Sequence, residues 1–227
     1  IIKRVASRDP NKGVSYCSRA CCMYSAKHAH QYLDKVKDGR CFVFYMDVRC
    51  AGKGYDEFYM NTLQDGATYV RGRVSKIYPE DGKLVCMGED TLSSQVVRVD
   101  ADMVVLETAM VPSDGSTQIA TVLNAQRGPE GFFTEAHPKL RPVETNTAGI
   151  FLAGVAQGPK DIPDTIAQAG AAASKVIGLL AKGQIESNPM IVHVNNAKCS
   201  GCGACVDICP YGAMQLEEVT LRENSQK

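Results

Sequence analysis

Residues 145–173 read TNTAGIFLAGVAQGPKDIPDTIAQAGAAA. The apolar run GIFLAG predicts a short strand, VAQGPKD a polar loop, and the Ala-rich segment from Ile162 a helix. Asp161 carries the short acceptor side chain of an N-cap, Pro163 suits a first turn, and Gly183 stands where the helix should stop. The free amides and positive dipole end of a helix that starts at Asp161 suit an electron-rich group. Ala167, Ala169 and Gly170 are small enough to let such a group approach closely.

Working back toward the start, the periodicity alternates between helix and strand. SRACCMYSAKHAHQYLDKVKDG places Met23, Ala26, His30 and Leu33 at helical steps, with Gly39 as a stop, and predicts a helix from near Ser18. CFVFYMDV reads as a strand, GKGYDEFYMNTLQDG as a loop and helix closed by Gly66, and TYVRGRVSKIY as one further strand. GKLVCMG and SQVVRVDADMVVLETAMVP read as a hairpin feeding a buried strand with Met103 to Leu106 at its centre. Strands alternating with helices imply an α/β unit with a parallel sheet. The stretch from Pro112 to Ile150, rich in Pro, Gly and Thr, reads as a largely irregular connection, and QIESNPM as a linker.

Formal net charge is zero and no long basic or acidic run occurs, so neither nucleic acid nor a membrane surface is an expected partner. No apolar run approaches the roughly 20 residues of a membrane-spanning helix. The first residue is Ile1, without a signal-peptide pattern, and the chain reads as part of a larger design. Seven of the ten cysteines fall in two tight groups, which suggests metal binding in a reducing, cytoplasmic compartment rather than disulfide bridges.

The later group is CSGCGACVDICP, with Cys199, Cys202, Cys205 and Cys209 in the pattern C-x2-C-x2-C-x3-C-P. This is the bacterial ferredoxin run, whose two-residue gaps wrap the backbone around a cubane so that successive thiolates reach different irons. Gly201 and Gly203 relieve crowding, and Pro210 turns the chain away. Zinc sites more usually pair two C-x2-C knuckles. In two-cluster ferredoxins the fourth cysteine serves the other cluster, and here only one run is present. The earlier group is YCSRACC, with Cys17, Cys21 and Cys22. A helix start near Ser18 would set Cys17 and Cys21 one turn apart on one face, with Cys22 to the side. Buried free thiols or a vicinal disulfide are the other readings of that group.

Residues 145–173 resemble the second flavin-binding segment of disulfide-reductase-type flavoproteins, and ADMVVLETAMVP resembles the strand leading out of their nucleotide-binding insert. Two features depart from that pattern. Val155 replaces the usual acidic residue after AG, and no G-x-G-x-x-G occurs, so the first half of a dinucleotide fold is expected to be absent. Taken with SRDPNKGVSYCSRACCMYSAKHAH, VFYMDVRCAGKGYDEFY and the ferredoxin run, the chain resembles a C-terminal portion of the A subunit of heterodisulfide reductase, an iron–sulfur flavoprotein.

That resemblance implies an α/β fold: part of a thioredoxin-reductase-like two-dinucleotide-binding flavoprotein, followed by a small ferredoxin-like α+β domain. The expected divisions are 1–112 (cluster-binding helix and nucleotide-binding-like insert), 113–184 (end of the FAD domain) and 185–227 (ferredoxin-like segment). It implies 4Fe-4S clusters on Cys17, Cys21 and Cys22 and on the ferredoxin run. It also implies FAD contacts from Lys27, Lys53, Gly154, Gln157, Gly158, Lys160, Asp161, Ile162 and Ala167, with Tyr55 nearby. Lys27 would sit by the reactive flavin nitrogen; a solvated helix lysine is the alternative. His28 and His30 read as packing or surface residues. The family's fourth ligand falls where this chain has Arg4; Cys50, or less directly Cys41, could replace it, or the site could hold a three-iron cluster or a cubane with a non-cysteine ligand.

The implied activity is electron transfer between FAD and iron–sulfur clusters in flavin-based bifurcation, an oxidoreductase function that needs partner subunits. Implied partners are other heterodisulfide-reductase-type subunits, a hydrogenase or formate dehydrogenase module, ferredoxin, and a chain supplying the missing half of the FAD domain. There are two competing readings. One is a quinone-linked flavoprotein without bifurcation, and the other is an interaction subunit that bears the ferredoxin run without flavin.

Overall fold

A computed structural model describes residues 1–184 and 192–217 and divides the chain into two units, Ile1–Lys182 and Gly183–Lys227. The linker QIESNPM lies outside the described residues except for Gln184.

The first unit is built on four parallel strands: β1 (Ile2–Val5), β2 (Phe42–Tyr45), β3 (Thr68–Arg71) and β7 (Leu106–Thr108), in the order β3-β2-β1-β7. Helix α1 (Cys21–Lys35) connects β1 to β2, and α2 (Tyr55–Gln64) connects β2 to β3. Between β3 and β7 runs an antiparallel meander of β4 (Val74–Glu80), β5 (Lys83–Asp90) and β6 (Gln95–Ala101).

Alternation along β2 shows why the layers form. Val43 faces α1, in a core with Ala29, Cys41 and Ala67. Phe44, one residue on, points to the opposite face and packs with Val70, Cys86 and Val99 under the meander. The segment TYVRGRVSKIY is two strands rather than one. Gly72 divides them, because its backbone passes so close to β5 that a Cβ there would lie 1.7 Å from the Glu89 carbonyl oxygen. The expected burial of Met103 to Leu106 is also corrected: Met103 is 75% and Leu106 50% exposed, and the buried member of β7 is Glu107. β7 is an edge strand, with β1 as its single neighbour among the described residues.

Helix α1 begins at Cys21 rather than near Ser18. Arg19 has φ 55°, a left-handed conformation that keeps residues 17–19 out of the helix. Cys17 therefore lies on the preceding loop, and Cys21 and Cys22 are both buried in the first turn. The buried set of α1 is Cys21, Cys22, Ser25, Ala26 and Ala29, shifted from the expected Met23, Ala26, His30 and Leu33.

The largely irregular connection from Pro112 to Ile150 includes one helix, α3 (Ser116–Leu123). GIFLAG, expected as a strand, forms a single bridge between Phe151 and Glu144 and then a 3-10 turn at Gly154–Ala156. With no second strand beside it among the described residues, the ladder does not extend. Phe132, Val143 and Leu152 are buried here, and Tyr16 meets Phe132 edge-on with ring centroids 5.6 Å apart. Helix α4 (Ile162–Leu180) follows, capped by Asp161, whose Oδ1 accepts from the Asp164 amide at 2.9 Å. Among the described residues no helix is long and apolar enough to cross a membrane.

Candidate functional site

In an open parallel sheet, ligands bind beyond the carboxyl ends of the strands, where successive connections leave on opposite sides of one strand. Here that point lies between β1 and β7. The topology of a dinucleotide-binding half is therefore present without its glycine fingerprint, and residues 6–20 occupy the place of the phosphate-binding turn. Backbone and serine hydroxyls tie this loop into the crevice. Val14 N donates to the Ala6 carbonyl at 2.8 Å, and Ser18 N to Ser7 Oγ at 3.2 Å. Met110, just past β7, donates its amide to Ser18 Oγ at 3.0 Å and accepts from the Tyr16 hydroxyl at 2.9 Å. Four non-glycine residues of this region, Arg4, Ala6, Arg8 and Arg19, have positive φ. Such conformations cost about 1–3 kcal/mol each and persist where the surroundings impose them.

All ten cysteines are free thiols. Cys17 Sγ accepts from the Arg19 amide at 3.4 Å. Cys21 and Cys22 stand at the uncapped start of α1, whose first turn holds no acidic residue, so the helix dipole favours thiolate there. The hydrogen bond between the two thiols holds the Cys22 pKa down and pushes that of Cys21 up, with burial opposing the first and reinforcing the second. Lys3 adds to the bias on Cys22. It is buried in β1, and its Nζ donates to the Asp47 carbonyl, which also lies 3.9 Å from Cys22 Sγ. Burial raises the thiol pKa of Cys50, on the loop after β2, and the charge of Cys22 contributes. Cys41 belongs to the core at the other end of the sheet, beside Ile1 and Val43.

The loop also reaches the start of α4. Arg19 pairs with Asp164 in the first turn, and the Tyr55 hydroxyl donates to Asp161 Oδ2 at 3.1 Å. Three expected contact groups thus converge: the cysteine loop, the turn carrying Lys53 and Tyr55, and the segment around Asp161. Lys160 is half-buried, and burial, then the charge of Arg19, lowers its pKa. Its Nζ donates to Gln157 Oε1 at 3.1 Å, and Gln157 Nε2 donates to Glu135 Oε2 at 2.7 Å. Gly154 is buried with φ 67°, and its amide donates to Gln168 Oε1 at 2.7 Å. Gly158 is half-buried beside this network. Lys27, Lys53, Ile162 and Ala167 are exposed, and among the described residues no polar contact joins Lys27 to the group. His28 faces Glu107 at 3.2 Å and His30 faces Asp65 at 2.6 Å, a packing and surface role for each.

The second unit carries the ferredoxin run. Cys199, Cys202 and Cys205 are exposed and Cys209 half-buried. Gly201 (φ 70°), Gly203 (φ 78°) and Gly212 (φ 60°) bend the backbone so that amides face sulfur. Gly201 N donates to Cys199 Sγ at 3.5 Å, and Ala213 N to Cys209 Sγ at 3.3 Å. Amide hydrogen bonds, first from Ala204 and Ala213 respectively, lower the pKa of Cys202 and Cys209. Among the described residues no three His, Cys, Asp or Glu side chains converge on a point that would hold a single metal ion. A cubane spaces its thiolates more widely, on different irons, and amide-to-sulfur bonds are the environment it needs.

Arg19, Asp164, Asp47 and Lys3 join the site without any signal in the sequence. Each matters through a partner distant in the chain, so no local pattern marks it.

Residues 192–215 match the 4Fe-4S binding domain family. Over 220 residues the chain is 47% identical to the second A-type iron-sulfur subunit of the CoB--CoM heterodisulfide reductase of Methanopyrus kandleri, covering 96% of this chain and 34% of that protein. Against the A subunit of the H(2):CoB-CoM heterodisulfide,ferredoxin reductase of Methanothermobacter thermautotrophicus it is 44% identical, over 94% of this chain and 33% of the relative. Against a protein of Archaeoglobus profundus described as like the heterodisulfide reductase A subunit it is 47% identical, over 93% and 30%. Among solved structures, T. acidophilum thioredoxin reductase matches with TM-score 0.51 and 15% identity, covering 71% of this chain and 50% of that one, a likeness of fold. The chain spans about a third of the length of the curated relatives it matches, and over nearly all of its own length it is homologous to the A subunit of heterodisulfide reductase.

Proposed function

We propose that this chain is an electron-transfer segment of a heterodisulfide-reductase-type oxidoreductase. In this reading the ferredoxin run holds one 4Fe-4S cluster, Cys17, Cys21 and Cys22 hold a second iron–sulfur group, and FAD lies between the cysteine loop and the start of α4. The observation that carries it is the convergence of the cysteine loop and the Asp161 helix start, joined by Arg19–Asp164 and Tyr55–Asp161. When bound, the flavin would supply two-electron to one-electron exchange and the clusters one-electron transfer.

The chain's own residues position and tune. The α4 N-terminus, capped by Asp161, offers dipole and amides to the flavin's electron-rich edge, and Lys160 adds a partly desolvated cation. Gln157, fixed by Glu135, Lys160 and Gln168, presents a rigid polar lining, and Gly154 permits close approach. Lys27 and Lys53 would reach the flavin from the surface.

Relatives' names pair the CoB-CoM heterodisulfide with ferredoxin, hydrogen or formate. We accordingly assign the segment to a bifurcating complex that couples disulfide reduction to ferredoxin reduction, fed by a hydrogenase or formate dehydrogenase module. Helix α4 leaves Ile162, Ile166, Ile177 and Leu180 exposed along one side, an apolar surface for the polypeptide that completes the FAD domain.

Iron, sulfide and flavin content of the anaerobically purified complex tests this. The expected result is iron-dependent visible absorbance that dithionite bleaches, with FAD released on denaturation. Zinc alone, or iron without flavin, would overturn it.

A further inference from the structure

Lys3 and Arg4 are consecutive, buried and cationic. A strand would send them to opposite faces, but Arg4 has φ 62°, and both side chains reach Asp47. The Arg4 side chain is 2% exposed. Its Nη2 pairs with Asp47, while Nε and Nη1 have no acceptor among the described residues. Asp47 is also shared: Arg8 approaches its carboxylate at 2.8 Å and Arg49 at 3.7 Å. One half-exposed carboxylate thus serves three guanidinium groups, and a buried guanidinium with idle donors is costly unless an anion faces it. Asp47 also brings Arg4 to the cysteine loop, because its carboxylate pairs with Arg4 while its backbone carbonyl lies 3.9 Å from Cys22 Sγ. Cys50, half-buried like Cys17, lies on a different segment, the loop after β2.

We propose that Cys17, Cys21 and Cys22 hold their iron–sulfur group by three thiolates alone, and that the Arg4 guanidinium faces the corner they leave. There Arg4 donates N–H bonds to sulfur and is not a ligand. The inference rests on the reading of those cysteines as ligands. Its consequence is electrostatic. A cation in place of a fourth thiolate makes the surroundings less negative by two charges. Uptake of one electron, with no bond made or broken, is then easier than at the Cys199–Cys209 site, where four thiolates are exposed or half-buried. The two sites form an ordered pair, with the Arg4 site at the higher potential.

The test uses the anaerobic complex, with metal analysis and redox titration followed by electron paramagnetic resonance, and the ferredoxin-run signal as internal reference. Arg4→Gln is expected to keep the iron and shift the loop-site midpoint to lower potential, and Arg4→Lys to retain most of the wild-type value. Arg4→Cys should lower the midpoint further and give the spectrum of an all-thiolate cubane. If replacing Cys17, Cys21 and Cys22 together removes no iron, the ligand reading falls and this inference with it. If iron goes with those three cysteines but also with Cys50→Ser, or the midpoint ignores Arg4→Gln, this inference alone is overturned.

Discussion

The Tyr55 hydroxyl donates a 3.1 Å hydrogen bond to Asp161 Oδ2, linking residues 106 apart in sequence. The same carboxylate caps α4 through Oδ1 and the Asp164 amide. One side chain thus starts the helix and fixes its first turn against α2. Asp161→Ala should destabilise the unit by about 1–2 kcal/mol, the cost of a lost cap. Asp161→Asn, an equally good cap, should recover most of it, and Tyr55→Phe should cost about 0.5–1.5 kcal/mol. Urea denaturation of the three variants checks the order; an Asn variant as unstable as the Ala variant would show that charge matters more than capping.

Glu107 makes stability depend on pH. It is 4% exposed, and burial raises its pKa above the ordinary 4.5, against the pull of His28 and Lys3. The folded state therefore binds this proton more tightly than the unfolded chain. Stability on this account is full below the ordinary glutamate range and falls as pH rises toward the raised value. Glu107→Gln keeps a neutral partner for His28 and removes the titration. It should be more stable than the parent at neutral pH, with the gap closing near pH 4, as denaturant midpoints across that range would record.

Ser18 is fully buried, and its Oγ accepts the Met110 amide. Ser18→Ala leaves that amide without a partner, at a cost of about 1–3 kcal/mol. On the proposed reading of Cys17, Cys21 and Cys22 as ligands, Ser18 sits between two of them, and iron retention at the loop should fall more than overall stability does. Comparing iron content after dialysis against chelator with the denaturation midpoint separates the two effects. Equal losses would mean that Ser18 acts on folding alone.

Much of this is legible locally. The Asp161 cap, Pro163 and the ferredoxin spacing are each set by neighbours within a few residues, and so is the helix–strand alternation of residues 21–71. The division of TYVRGRVSKIY at Gly72 is not, because it depends on a β5 carbonyl seventeen residues away. Nor is the burial of Lys3, Arg4 and Glu107, since charged residues in a strand pattern ordinarily mark a solvent face. Spacing alone puts Cys17 on the helix, whereas the left-handed Arg19 leaves it outside. The misplacement of Cys17 falls beside the crevice between β1 and β7, whereas Gly72, helix Ser116–Leu123 and the single bridge at Phe151 are set by contacts elsewhere in the fold.

The ferredoxin run offers the sharpest separation of backbone from ligand chemistry. Gly203 has φ 78°, and a Cβ there would meet Leu216 Cδ1 at 3.5 Å, ordinary contact distance. Gly203→Ala thus meets no clash and carries only the left-handed penalty of about 1–2 kcal/mol. That conformation starts the turn Ala204–Asp207 and aims the Ala204 amide at Cys202. Relaxing the strain would turn the amide away and return the Cys202 thiol toward its ordinary pKa, so cluster assembly should slow while all four thiols remain. Gly201→Ala, at φ 70° with open space around it, should behave alike through the Cys199 bond. Cys202→Ser, by contrast, removes a ligand and should lose the cluster outright. Reconstitution rates followed by iron-dependent absorbance distinguish the classes: slowed but complete loading for the alanines, incomplete loading for the serine. Full loss in Gly203→Ala would mean that the amide bonds are as indispensable as the thiolate itself.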